Sequence, residues 1–89
     1  MKGLPPYLRR KIINSLKSVE HDSIAGFACR KFAAESEQKT DAEVIQCISD
    51  IKSQIVDNGP MLKRILGSEF NFINNLHIPA KYSREAAMA

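Results

Sequence analysis

The chain has 89 residues, a net charge of +3 and a pI near 9.0, which bounds it to one small domain that hides only about 60–65% of its unfolded surface on folding. No stretch approaches the ~20 apolar residues of a membrane span, and +3 over a whole domain is a weak footprint for nucleic-acid binding. The charge is uneven: Lys2, Arg9, Arg10, Lys11 and Lys17 oppose only Glu20 near the start, whereas Asp41, Glu43, Asp50 and Asp57 oppose Lys52 in the middle.

Taken in chain order, the elements predict an all-α fold, a compact bundle of four to five short helices at approximately 5–20, 23–37, 41–57, 60–66 and 69–77. Pro5-Pro6 marks the first helix start, because proline presets φ and needs no donor in the first turn. Leu8, Ile12, Leu16 and Val19 then form its apolar stripe. Asp22 or Ser23 is a natural N-cap for helix two. Ile24, Phe27, Ala28 and Phe32 give that helix its core side, beside a ridge of small residues, Ala25, Cys29 and Ala33. Gly26 adjoins this ridge, and its cost of ~1 kcal/mol in helix propensity implies that close packing offsets it.

Thr40-Asp41-Ala42-Glu43 has the form of a capping box, and Val44, Ile48, Ile51 and Ile55 follow at helical spacing. Asn58-Gly59-Pro60 is expected to stop this third helix, with Gly59 in a left-handed cap. A short fourth helix begins at Pro60 and ends at Gly67. Phe70-Asn71-Phe72 alternates like a strand, but a hairpin about Asn74-Asn75 would split the apolar side chains between two faces. A helix capped by Ser68, with Glu69 in its first turn, keeps Phe70, Ile73 and Leu76 together. Residues 1–82 are read as the domain and 83–89 as a frayed tail.

Candidate sites are few. Arg9, Arg10 and Lys11 lie within a turn of the first helix start, where the macrodipole is already positive and no first-turn acid relieves them. With Lys17 they form a candidate anion- or nucleic-acid-binding surface. Glu43, Asp50 and Asp57 recur seven apart, an acidic stripe that could receive a basic face from the same chain or a second copy. Its carboxylates stand about 10 Å apart, too far for a general acid–base pair. Between Met61 and Ile78 the chain carries a surplus of apolar residues, of which Met61, Leu62, Phe70, Phe72 and Leu76 are the candidate partner-binding set.

No chemistry stands beside these surfaces. Cys29, Cys47, His21 and His77 lack the local pairing of a zinc site. His21-Asp22-Ser23 contains triad residue types, but neighbours in sequence cannot orient one another as a triad requires. Glycine-rich phosphate loops and dinucleotide fingerprints are absent from the sequence, so no catalytic residue, metal, cofactor or small-molecule substrate is predicted.

The N-terminal ten residues lack the apolar core of a secretory signal, and Cys29 and Cys47 read as reduced thiols. The predicted protein is a cytoplasmic, non-enzymatic accessory or regulatory domain. It acts by protein–protein binding, on a partner or on itself as a homo-oligomer, through the apolar C-terminal half, with the basic first helix contacting acidic groups. The alternative is a nucleic-acid-binding regulator that uses that first helix.

Overall fold

Pro5 is extended and Pro6 opens helix α1 (Pro6–Lys17), as the proline pair implies. A computed structural model describes residues 3–80 of the chain. Ser23 caps helix α2 (Ile24–Ala34), its hydroxyl accepting from the Gly26 amide at 3.0 Å. After a 3₁₀ turn over Ser36–Gln38, Thr40 and Glu43 make the reciprocal capping box and start helix α3 (Asp41–Leu66). A second 3₁₀ turn over Gly67–Glu69 leads into the six-residue helix α4 (Phe70–Asn75). The fold is all-α, and no strand occurs among the described residues.

Three long helices, α1 to α3, carry it with the six-residue α4, where four to five short helices are expected. Asn58-Gly59-Pro60 interrupts α3 where the boundary is expected, and two helical stretches join there across a kink. Only Asn58 leaves helical geometry, at φ −149° and ψ 55°, and Gly59 does not adopt positive φ. A residue with a Cβ resists helical φ/ψ ahead of proline, whereas Gly59 can take it. Pro60 then lies in the first turn beyond the break, where its missing N–H costs nothing. A positive φ falls later, at the C-cap Gly67, where φ 56° and ψ −126° give a glycine conformation outside the left-handed helical region. Ser68 does not cap α4; it lies in the 3₁₀ turn that precedes the helix. The helical assignment of the Phe70 segment stands, and the 83–89 tail lies outside the described residues.

Ile12, Leu16 and Val19 of the α1 segment meet Val44 and Ile48 of α3 and Ile73 of α4 in the fully buried core. Each such side chain contributes about 1.5–3 kcal/mol of burial. Helix α1 packs on α2 and touches α4, and α3 packs mainly on α4. Helices α2 and α3 meet more lightly, and a cleft remains between them.

Helix α2 is rotated relative to expectation. Its buried residues are Gly26, Cys29 and Ala33, while Ile24 and Phe27 remain 89% and 59% exposed. Ala28 is also exposed and Phe32 is half-buried. The small ridge, not the large apolar stripe, faces inward. The cause is the chain leaving α1: a Cβ at Gly26 would come within 2.1 Å of the His21 carbonyl oxygen, so no other residue type permits this approach. Arg30 fixes the same contact by donating through Nη1 to the carbonyls of Val19 and His21, at 2.9 and 3.1 Å.

Gly26→Ala tests this arrangement. Displacing a backbone carbonyl costs about 1–3 kcal/mol and should outweigh the ~1 kcal/mol gained in helix propensity. Urea denaturation should therefore show a net loss of stability, and a variant as stable as the parent would contradict the contact.

Candidate functional site

The cationic cluster at the start of α1 does not act as a unit. Arg9 Nη1 is 2.6 Å from Asp41 Oδ1, and its Nη2 donates to the carbonyls of Ser36 and Lys39, both at 2.6 Å. Asp41 Oδ2 also accepts from the Leu4 amide at 2.9 Å, and Gly3, at φ 80°, passes too close to this carboxylate to carry a Cβ. The acid that relieves the α1 terminus thus arrives from α3, thirty-two residues away. Arg9 is withdrawn from any anion site by this engagement. Arg10, Lys11 and Lys17 stay exposed, and Lys2 lies outside the described residues.

The C-terminal apolar set is largely core. Leu62 is 5% exposed, and Phe70, Phe72 and Leu76 are half-buried against the core cluster. Met61, at 45%, is the member that projects to solvent. Phe72 closes the α1–α4 contact, where the buried Ser15 hydroxyl donates to Glu69 Oε1 at 2.8 Å. A shallow groove of about 420 Å³ runs between Ile45, Lys52 and Val56 of α3 and the segment Leu76–Ile78. Lys52 Nζ fixes that segment by donating to the Leu76 carbonyl.

Exposed apolar area gathers instead on α2. Ile24 and Phe27 stand on the same helix as Ala25 and Ala28, which line the α2–α3 cleft. The cleft has a volume of about 190 Å³, with Cys29 and Cys47 in its walls and Ile51, Leu62 and Ile65 around them. Asp50 and Gln54 border it on α3. Asp50 belongs to the acidic stripe, and all three stripe residues, Glu43, Asp50 and Asp57, are exposed. Among the described residues none of the three is in an ion pair, and the ion pairs present are Arg9–Asp41 and Lys39–Glu35. Ile24 and Phe27 escaped the sequence argument because they form the most hydrophobic stripe of α2. Gly26 and the small ridge beside it were the signal that could have found them.

The two thiols are poor nucleophiles in this setting. Burial raises Cys29 above its ordinary value, with Arg30 opposing the shift. Burial, with smaller repulsion from Cys29 and Asp50, pushes Cys47 up to about 11. Glu43 moves the other way, held below the usual carboxylate value by the amide and then the hydroxyl of Thr40. His77 is exposed, and His21 is half-buried with Nδ1 unpartnered among the described residues. Among those residues no group of three or more His, Cys, Asp or Glu side chains is placed to hold a metal ion. No helix there is long and apolar enough to cross a membrane.

Two measurements check this geometry. Arg9→Lys should destabilise the protein nearly as much as Arg9→Ala, by about 2–4 kcal/mol in denaturant, because an ammonium cannot reproduce the fork on one carboxylate and two carbonyls. A fully stable Arg9→Lys variant would reduce Arg9 to a point charge. For Cys47, the unfolded thiol ionises near 9.0 while the folded one holds its proton to about 11. The stabilisation present below pH 9 is therefore lost as pH rises through the folded value. Cys47→Ala should reduce this alkaline loss in pH-dependent melts, and an unchanged profile would contradict the burial of the thiol.

Compared with protein-family models, curated proteins and solved structures, the chain matches none of them.

Proposed function

We propose that this chain is a small non-enzymatic binding protein that docks on another protein chain through the exposed face of α2. The observation that carries the proposal is the exposure of Ile24 and Phe27 on a helix whose small residues line an apolar cleft. A single exposed apolar side chain needs no explanation. Two large ones, three apart and on one outward side of the same helix, form the kind of patch that marks interaction surfaces.

The docking surface therefore moves from the apolar C-terminal half to α2. Of the former set only Met61 offers much exposed area. The exposed cations Arg10, Lys11 and Lys17 are left to steer acidic partners, a contribution to association rate more than to affinity.

The test is the double variant Ile24→Ser/Phe27→Ser. Because both side chains are already exposed, its stability should stay within about 0.5 kcal/mol of the parent. Crosslinking in the source cells should recover protein partners with the parent chain and lose them with the variant. Equal recovery by both chains would sink the proposal, and an unfolded variant would return these residues to the core.

A further inference from the structure

The interruption in α3 joins an asparagine to a glycine, and Asn58 is the only asparagine of the chain that precedes one. The Cγ of an asparagine and the backbone nitrogen of the next residue can close a five-membered ring. Two things ordinarily prevent it: the next side chain crowds the nitrogen, or a helix fixes the peptide unit between the two. Neither restraint operates at the kink. Gly59 has no Cβ, and no side chain beyond its immediate neighbours stands within 4 Å of where one would lie. Asn58 is exposed. Its ψ of 55° turns the Asn58–Gly59 peptide unit about 100° from its helical orientation, off the line of the α3 ladder. The other asparagines differ on both counts. Asn14 lies in α1, Asn71, Asn74 and Asn75 lie in α4, and each precedes a residue with a side chain.

We infer that Asn58 is a self-modification site, at which the Gly59 nitrogen displaces ammonia from the side-chain amide and water opens the resulting ring to aspartate or isoaspartate. The Gly59 nitrogen gives its proton to solvent base and bonds to Cγ, while the Cγ–Nδ2 bond breaks and the amide leaves as ammonia. Water then cleaves the ring. Attack at Cγ leaves aspartate, and attack at the main-chain carbonyl leaves isoaspartate, which carries an added methylene in the main chain. Nothing is oxidised or reduced, and water is the one co-reactant. Ring closure swings ψ of Asn58 until the nitrogen eclipses Cβ, so it proceeds through local opening of the kink. Val56, Asp57, Asn58, Pro60 and Met61 are all exposed there, and a segment with so few buried contacts opens without global unfolding. Either product sets a new carboxylate beside Asp57 and lowers the net charge from +3 by one. Isoaspartate also lengthens the joint from which the second helical stretch carries Leu62, Ile65 and Leu66 into the core.

Incubation of the full chain in mildly alkaline buffer, followed by peptide mapping and isoelectric focusing, tests the inference. The parent should convert at Asn58 alone and gain one negative charge. Its rate should lie within about tenfold of that of the same chain in denaturant, because the opening is local. Asn58→Gln keeps an amide at an exposed position but requires a larger ring, and should abolish the charge shift. Asn58 that stays intact in the native chain while the denatured chain converts overturns the inference, since the kink would then protect it. Conversion of Asn14, Asn71, Asn74 or Asn75 at the same rate, or a charge shift that survives in Asn58→Gln, also overturns it.

Discussion

The Arg9 guanidinium is the contact on which the arrangement of the helices depends. It ties the start of α1 to Asp41 at the start of α3 and to two carbonyls of the chain between α2 and α3. Both helix starts carry positive macrodipole ends, so bringing them together requires an anion. Asp41 supplies it, and its second oxygen holds the Leu4 amide and so keeps Leu4 over the core. Arginine suits the position because a planar fork can serve a carboxylate and carbonyls at once, whereas an ammonium is a point charge. Partial burial shields these charge-assisted bonds from water and strengthens them.

The same device closes two further connections. Arg30 satisfies the carbonyls of Val19 and His21 beyond the end of α1, and Lys52 satisfies those of Asn74 and Leu76 at the end of α4. Orphan carbonyls after a helix must find donors, and here cations from a neighbouring helix provide them. The rotation of α2 follows. Burying Ile24 and Phe27 would gain about 3–6 kcal/mol. Turning α2 inward would forfeit two charge-assisted bonds from Arg30, at about 1.5–3 kcal/mol each. It would also disturb a Ser23 cap worth about 1 kcal/mol and the packing of Gly26, Cys29 and Ala33. The terms are comparable, and the backbone contacts decide between them.

What could be read in advance divides along the same line. The proline start of α1, the Ser23 cap and the Thr40–Glu43 box involve groups within four residues of one another, and all were legible. So were the stripes of α1 and α3, each of which has one apolar face. Helix α2 has two, a large one and a small one, and the choice rests on the His21 carbonyl and on Arg30, contacts that periodicity does not encode. The interruption at Asn58-Gly59-Pro60 is legible too, but a left-handed cap at Gly59 is not what forms it: Asn58 leaves helical geometry and Gly59 keeps negative φ ahead of the proline. Arg9 was recognised as an uncompensated cation at a helix start. Its compensation by Asp41 was invisible because the two lie far apart in sequence. The error at the candidate site followed from the error at α2: once its larger stripe was assigned to the core, the surplus had to be sought in the C-terminal half.

The exposed face of α2 therefore differs in kind from the other apolar exposures. Val56 and Met61 flank the α3 kink among Asp57, Lys63 and Arg64, isolated side chains of a sort common on soluble surfaces. Ile24 and Phe27 are held outward by contacts that Gly26 and Arg30 make from the same helix to the chain leaving α1. That surface is formed before any partner arrives, on a helix whose backbone is already fixed. Binding there would order few rotamers and no backbone, so more of the apolar burial survives as affinity. Asp50, at the neighbouring edge of α3, discourages indiscriminate apolar contact, since a partner that covers it must supply a cation or leave a charge unpaired. Apolar area, rigidity and a charged border together favour a particular partner over general adhesion.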